Sequence, residues 1–223
     1  MISVDALRSA TRRFADVLET ADITLAVPSC PQWTVEDLVR HLGGIHEWAA
    51  AQVGAEAGTN IPTGQDVPRE ALTTWYSDRA DQLVTTLATA GPDAPAWVFG
   101  PASGAGFASF WIRRQIHETV VHTWDLLAAQ GIHQTMDPEL AWDGVQEVKD
   151  VFYPRQVALG RIEPLDAALH LHPTDLDRPA VTIGQGEPVT VRLPASEMLL
   201  ALWHRRTLPD GRAATLMATA LTP

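Results

Sequence analysis

Val4, Leu7, Phe14, Val17 and Leu18 recur at steps of three, four and seven residues, which predicts an amphipathic helix over 3–21 with Ser3 as its cap. A Pro-containing loop, 28–33, leads to a second helix running to about 57. Its start is marked by Thr34 with Asp37 three residues on, close to a capping box. Its apolar stripe is Val35, Leu38, Leu42, Ile45 and Ala49. Residues 58–68 are rich in Gly, Pro and polar side chains and read as a loop. A third helix is predicted over 68–90, with Leu72, Trp75, Leu83 and Leu87 among its apolar positions, stopped by the Gly-Pro-Asp-Ala-Pro run at 91–95. The glycines of 97–106 predict a loop. A fourth helix follows over 107–129, ended by Gly131, and a fifth helical segment over about 138–157.

The texture then changes. Residues 169–172, 180–183 and 189–193 are short, β-branched or alternating, and separated by Pro, Asp and Gly, as strands are. One helix over 195–206 and a last strand near 214–220 complete the pattern. The expected architecture is mainly α: an up-down four-helix bundle over 1–158, followed by a small α/β C-terminal domain over 159–223. The boundary is placed near 160–164.

Composition narrows the function. The chain has 223 residues, 46% hydrophobic and 19% charged, enough to bury a core. A net charge of -11 with no run of Lys or Arg leaves phosphate contacts no evident source, so nucleic acid is not expected as a partner. No apolar run approaches the roughly 20 residues that span a bilayer, and the N-terminus lacks the layout of a signal peptide, so no membrane partner and a cytoplasmic location are expected. Cys30 is the only cysteine, which excludes an internal disulfide and a Cys-based metal knuckle. It sits in a turn-like Pro28-Ser29-Cys30-Pro31 and reads as a small packed residue. Any thiol used in chemistry therefore arrives with a small molecule.

The fourth helix carries the candidate chemistry, in the run RQIHETVVHTWD over 114–125. It resembles a His-Glu-x-x-His zinc-protease motif with one residue too many. At about 100° per residue, His117 and His122 point about 140° apart and cannot grip one ion. Glu118 and His122, four apart, differ by about 40° and share a face. Asp125, three residues beyond His122, is placed to hold the second imidazole nitrogen. The helix is apolar nearly all round, so a Glu and a His on it require either each other or a cation. Both readings stand on this helix alone. A catalytic zinc needs a third protein ligand. His41 and His46 flank the second helix's stripe on opposite sides, each about 70° from its centre, and periodicity does not choose between them.

WTVEDLVRHLGGIHEW (33–48), WVFGPASGAGFASFWIRRQIHETVVHTWD (97–125) and ASEMLLALWHRR (195–206) together resemble the mycothiol-dependent maleylpyruvate isomerase family, a branch of the DinB-like metal-binding bundles. The resemblance implies zinc, or another divalent metal, on His41, Glu118 and His122. His117 and Arg205 are the candidate catalytic residues, with Arg206 adjacent; His46 and His117, outside the ligand set, are left to support the ligands, face the substrate or serve the structure. His204 stands where the family usually has Gly. The implied activity is a metal-dependent isomerase or S-transferase with mycothiol as co-substrate, acting on a small electrophile such as an unsaturated carboxylic acid, as a monomer or homodimer. Two other readings share these residues: a hydrolase that activates water on the metal, and a non-catalytic metal-binding stress or regulatory bundle.

Overall fold

A computed structural model of the chain describes residues 2–54, 66–101 and 103–223. These form two compact units, residues 1–98 with 103–134, and residues 99–102 with 135–223. The change of texture near 160–164 therefore lies inside the second unit, which also contains the fifth predicted helical segment.

In the first unit, α1 (Val4–Leu18) starts where the Ser3 hydroxyl accepts the Ala6 amide at 3.1 Å. Helix α2 (Val35–Ala51) starts with a complete capping box between Thr34 and Asp37. The helix ends at Ala51, short of the predicted 57, because Val53 already bridges Ala96; residues 55–57 and most of the 58–68 loop lie outside the described residues. Helix α3 (Leu72–Ala90) follows a 3-10 turn over Arg69–Ala71. Helix α4 (Ala108–Ala129) is closed by Gly131 at φ 73°; the Gly131 and Ile132 amides return to the carbonyls of Ala128 and Leu127. Helix α1 packs on α3 and α4, and α2 packs on the same two. Phe14, Leu38, Leu42, Leu72, Tyr76 and Leu126 fill the shared core.

Two stretches predicted as loops are hairpins. Residues 28–33 belong to β1 (Ala26–Val27) and β2 (Cys30–Thr34), paired antiparallel. Residues 97–98 and 104–106 belong to β3 (Pro95–Val98) and β4 (Gly104–Phe107), also antiparallel. Prolines and glycines hid the strands. At Gly106 the absence of a side chain is what lets the strands meet, because a Cβ there would lie 2.7 Å from both Val98 methyl groups.

In the second unit, α5 (Pro138–Glu147) passes through a π-helical turn (Val148–Phe152) into α6 (Tyr153–Ala158). Pro154 cannot donate to the helical ladder, and the wider turn just before it accommodates the ring. A three-stranded sheet has the order β6 (Val181–Ile183), β5 (Ala168–Pro173), β7 (Pro188–Leu193), antiparallel on one side and parallel on the other. Leu169, Leu171 and Ile183 are buried, as the strand pattern requires. Helix α7 covers Ala195–Leu202.

The strand predicted near 214–220 is a helix, α8 (Arg212–Met217). Its buried residues, Leu216 and Met217, are adjacent rather than alternating, and alanine at 213, 214 and 218 favours helix. The expectation of Gly at 204 has a structural counterpart. His204 adopts φ 59°, and the amides of His204 and Arg205 return to the carbonyls of Ala201 and Leu200, the left-handed closure at which glycine is preferred.

Candidate metal centre

Three side chains from two helices converge in the first unit. The ligand atoms of His41 (α2), Glu118 and His122 (both α4) all lie within 4.8 Å of one another, the one such cluster among the described residues. His41 Nε2 is 3.2 Å from Glu118 Oε1, and His122 Nε2 is 3.3 Å from the same oxygen. The side-chain exposures, 31% for His41 against 14% for Glu118 and 9% for His122, put the open side of the cluster at His41.

Behind this trio, Asp125 is fully buried. Its Oδ2 lies 2.8 Å from His122 Nδ1, and its Oδ1 accepts the Ser29 hydroxyl at 2.5 Å. The arrangement makes Nδ1 of His122 a donor and turns Nε2 toward Glu118 and His41. On the other side, Arg114 donates to Glu118 Oε2 at 2.6 Å. The Trp33 ring lies 4.8 Å, centroid to centroid, from the His41 imidazole and 6.3 Å from that of His122.

Burial alone would lower the pKa of His122, but Asp125 and Glu118 outweigh it and hold the value up, at about 9. Burial would likewise raise Glu118; the charge of Arg114 and the two imidazoles outweigh it and keep the carboxyl well below its usual range. A proton on His122 Nε2 thus occupies the space between an imidazole and a carboxylate where a cation would serve equally well. Two imidazole nitrogens and one carboxylate oxygen make a donor set suited to zinc and related divalent ions. The residues therefore fit the metal that the family resemblance implies.

His46 is not a member of the cluster. It is fully buried, with Nδ1 2.8 Å from Gln115 Oε1 and Nε2 3.4 Å from the Tyr76 hydroxyl. Burial pulls its pKa down to about 4. His117, at 2% exposure, is also buried and outside the cluster. In the second unit, Arg205 donates to the Trp203 carbonyl at 2.7 Å and lies 5.9 Å from the Trp203 ring; Arg206 pairs with Glu197 at 3.2 Å.

Sequence reasoning missed Arg114, Ser29 and Trp33. Arg114 precedes Glu118 by four residues, a spacing that places both on one helix face and could have revealed the pair. Ser29 reaches Asp125 across 96 residues from a hairpin read as a loop, and no local signal announces that contact.

A profile of the mycothiol maleylpyruvate isomerase N-terminal domain matches residues 4–127, more than half the chain. The chain belongs to the mycothiol-dependent maleylpyruvate isomerase family. The family's C-terminal domain matches residues 139–223, within the second unit. An uncharacterized protein of Mycobacterium tuberculosis, from two strains, is 27% identical over 126 residues, 56% of this chain. The chain spans about 65% of the length of those curated relatives. Two crystal structures share the fold, each covering 89% of this chain and 86% of the other. One is a mycothiol-dependent maleylpyruvate isomerase at TM-score 0.60 and 16% identity. The other is a histidine-to-alanine variant under the same name, at TM-score 0.65 and 14% identity. No helix among the described residues is long and apolar enough to cross a membrane.

Proposed function

We propose that the chain is a metal- and thiol-dependent enzyme, an isomerase or S-transferase that takes mycothiol as co-substrate and acts on a small electrophile such as an unsaturated carboxylic acid. The observation that carries this reading is the convergence of His41, Glu118 and His122 within 4.8 Å, three protein ligands from two helices. Family membership supports the thiol, and Cys30 as the lone cysteine agrees with a sulfur nucleophile supplied from outside the protein.

His41, Glu118 and His122 would hold the divalent ion. When bound, that ion would keep a coordinating thiol as its thiolate at neutral pH, the nucleophile for reversible addition to an activated double bond. Asp125 holds His122 in one tautomer, and Ser29 holds Asp125. Arg114 fixes the carboxylate of Glu118. The Trp33 ring, tilted against the His41 ring, limits the freedom of the most accessible ligand. Arg205 offers a guanidinium suited to a substrate carboxylate. His117, buried next to Glu118 on α4, is the other candidate catalytic residue.

The test is metal analysis coupled to a thiol-dependence assay. The expected result is one divalent ion per chain, lost in Glu118→Gln, and turnover of a cis-unsaturated acid only when both metal and mycothiol are present. Turnover with metal but without thiol would replace this reading by a hydrolase. Carefully purified protein that takes up no metal would leave a non-catalytic bundle.

A further inference from the structure

The two oxygens of Glu118 have different partners. Oε1 faces both candidate imidazole ligands, at 3.2 and 3.3 Å. Oε2 accepts from Arg114 at 2.6 Å, a short charge-assisted bond from one turn earlier on α4. Arg114 is itself only 3% exposed. A buried guanidinium is costly to maintain, and an apolar side chain would pack this position without that cost, so its presence calls for a local reason.

The reason lies in how many oxygens the carboxylate can offer. A carboxylate can bind a cation through one oxygen or through both. With two imidazoles and one oxygen, a four-coordinate ion has three protein ligands and an open position, as catalytic sites do; with both oxygens the protein closes the shell, as in structural sites. Building on the metal reading above, we infer that Arg114 is a positioning residue that restricts Glu118 to one-oxygen coordination and so keeps a place for an exogenous ligand. Its bond occupies the second oxygen. Its charge also draws on the carboxylate, which leaves the cation a stronger attraction for an incoming anionic sulfur. A merely structural Arg114–Glu118 pair would leave the affinity for exogenous ligands unchanged.

Cobalt(II) is the probe, loaded into the full chain and followed by its visible spectrum, with azide and N-acetylcysteine as titrants. Arg114→Met is expected to bind cobalt one to one but to take up azide and thiol at least tenfold more weakly than the wild type. Arg114→Lys, which keeps a donor for Oε2, is expected to recover most of that loss. Unchanged azide affinity in a folded, cobalt-loaded Arg114→Met protein overturns the inference. Should that variant fail to fold, X-ray absorption of the wild-type cobalt protein decides: one carboxylate oxygen on the metal supports the role, and two overturn it. A wild type that binds cobalt and azide but no thiol refutes the thiol-dependent function and leaves the role of Arg114 readable through azide. A wild type that takes up no cobalt overturns both.

Discussion

His46 makes the fold sensitive to acid by an amount that follows from its surroundings. It is sealed between α2, α4 and α3, with Gln115 and Tyr76 as its polar neighbours, and burial holds its pKa at about 4 against 6.5 in an open chain. The folded value is the lower one, so the unfolded chain binds the extra proton first. The contribution is therefore intact above pH 6.5 and is lost as the pH falls toward 4. The gap corresponds to about 3 kcal/mol when fully expressed, and to about 2 kcal/mol at pH 5. His122 has its pKa raised to about 9, so in metal-free protein its contribution runs the opposite way, present below 6.5 and lost as the pH rises through 9. A comparison with His46→Gln cancels that second term. The assay is urea unfolding of chelator-treated wild type and His46→Gln at pH 7.5 and pH 5. The lost packing of His46 lowers the variant's stability equally at both values. On top of this constant, the wild type's advantage should shrink by about 2 kcal/mol at pH 5. A difference that is the same at both pH values would refute the reasoning and mean that this imidazole is charged or hydrated in the folded protein.

Further outcomes follow from the same geometry. Asp125→Asn removes the carboxylate that holds His122 Nδ1 and should weaken zinc binding about 10- to 100-fold in a competitive chelator titration, with Ser29→Ala acting in the same direction but less. In metal-free protein His122 carries its proton up to about pH 9, so each metal bound releases a proton. Zinc affinity should therefore rise about tenfold per pH unit, or about 100-fold between pH 6.5 and 8.5, by isothermal titration. His204→Gly relieves a left-handed conformation that costs a non-glycine residue about 1 kcal/mol, offset in part by the flexibility glycine adds to the unfolded chain and by the lost contact to the Thr219 carbonyl; a small rise in melting temperature is expected.

The amino-acid sequence alone determined the long helices and the face on which each carries its chemistry. These depend on spacing within one element, and the rotation of about 100° per residue is the same in any helix. Ser3 and Thr34 as caps, Gly131 as a stop, and Glu118, His122 and Asp125 on one strip are all local facts, and the structure agrees with them. Where Pro and Gly interrupt the pattern, propensity fails, because strand pairing is made with a distant partner, and both hairpins escape a local reading for that reason. The final helix is a different case: its alanines favour helix against the expected strand. Both histidines of α2 turn toward α4, His41 to Glu118 and His46 to Gln115, and helical spacing alone does not decide which of them joins the Glu118–His122 pair; the tertiary structure does. His41 and His46 lie symmetrically about an apolar stripe, and the angle at which two helices pack is set by the whole core rather than by either helix. The same packing brings Trp33 against the His41 and His122 rings and Ser29 onto Asp125 behind His122. It also seals Arg114 onto the far oxygen of Glu118, a contact whose spacing is visible in the chain but whose burial, and hence whose strength, is not.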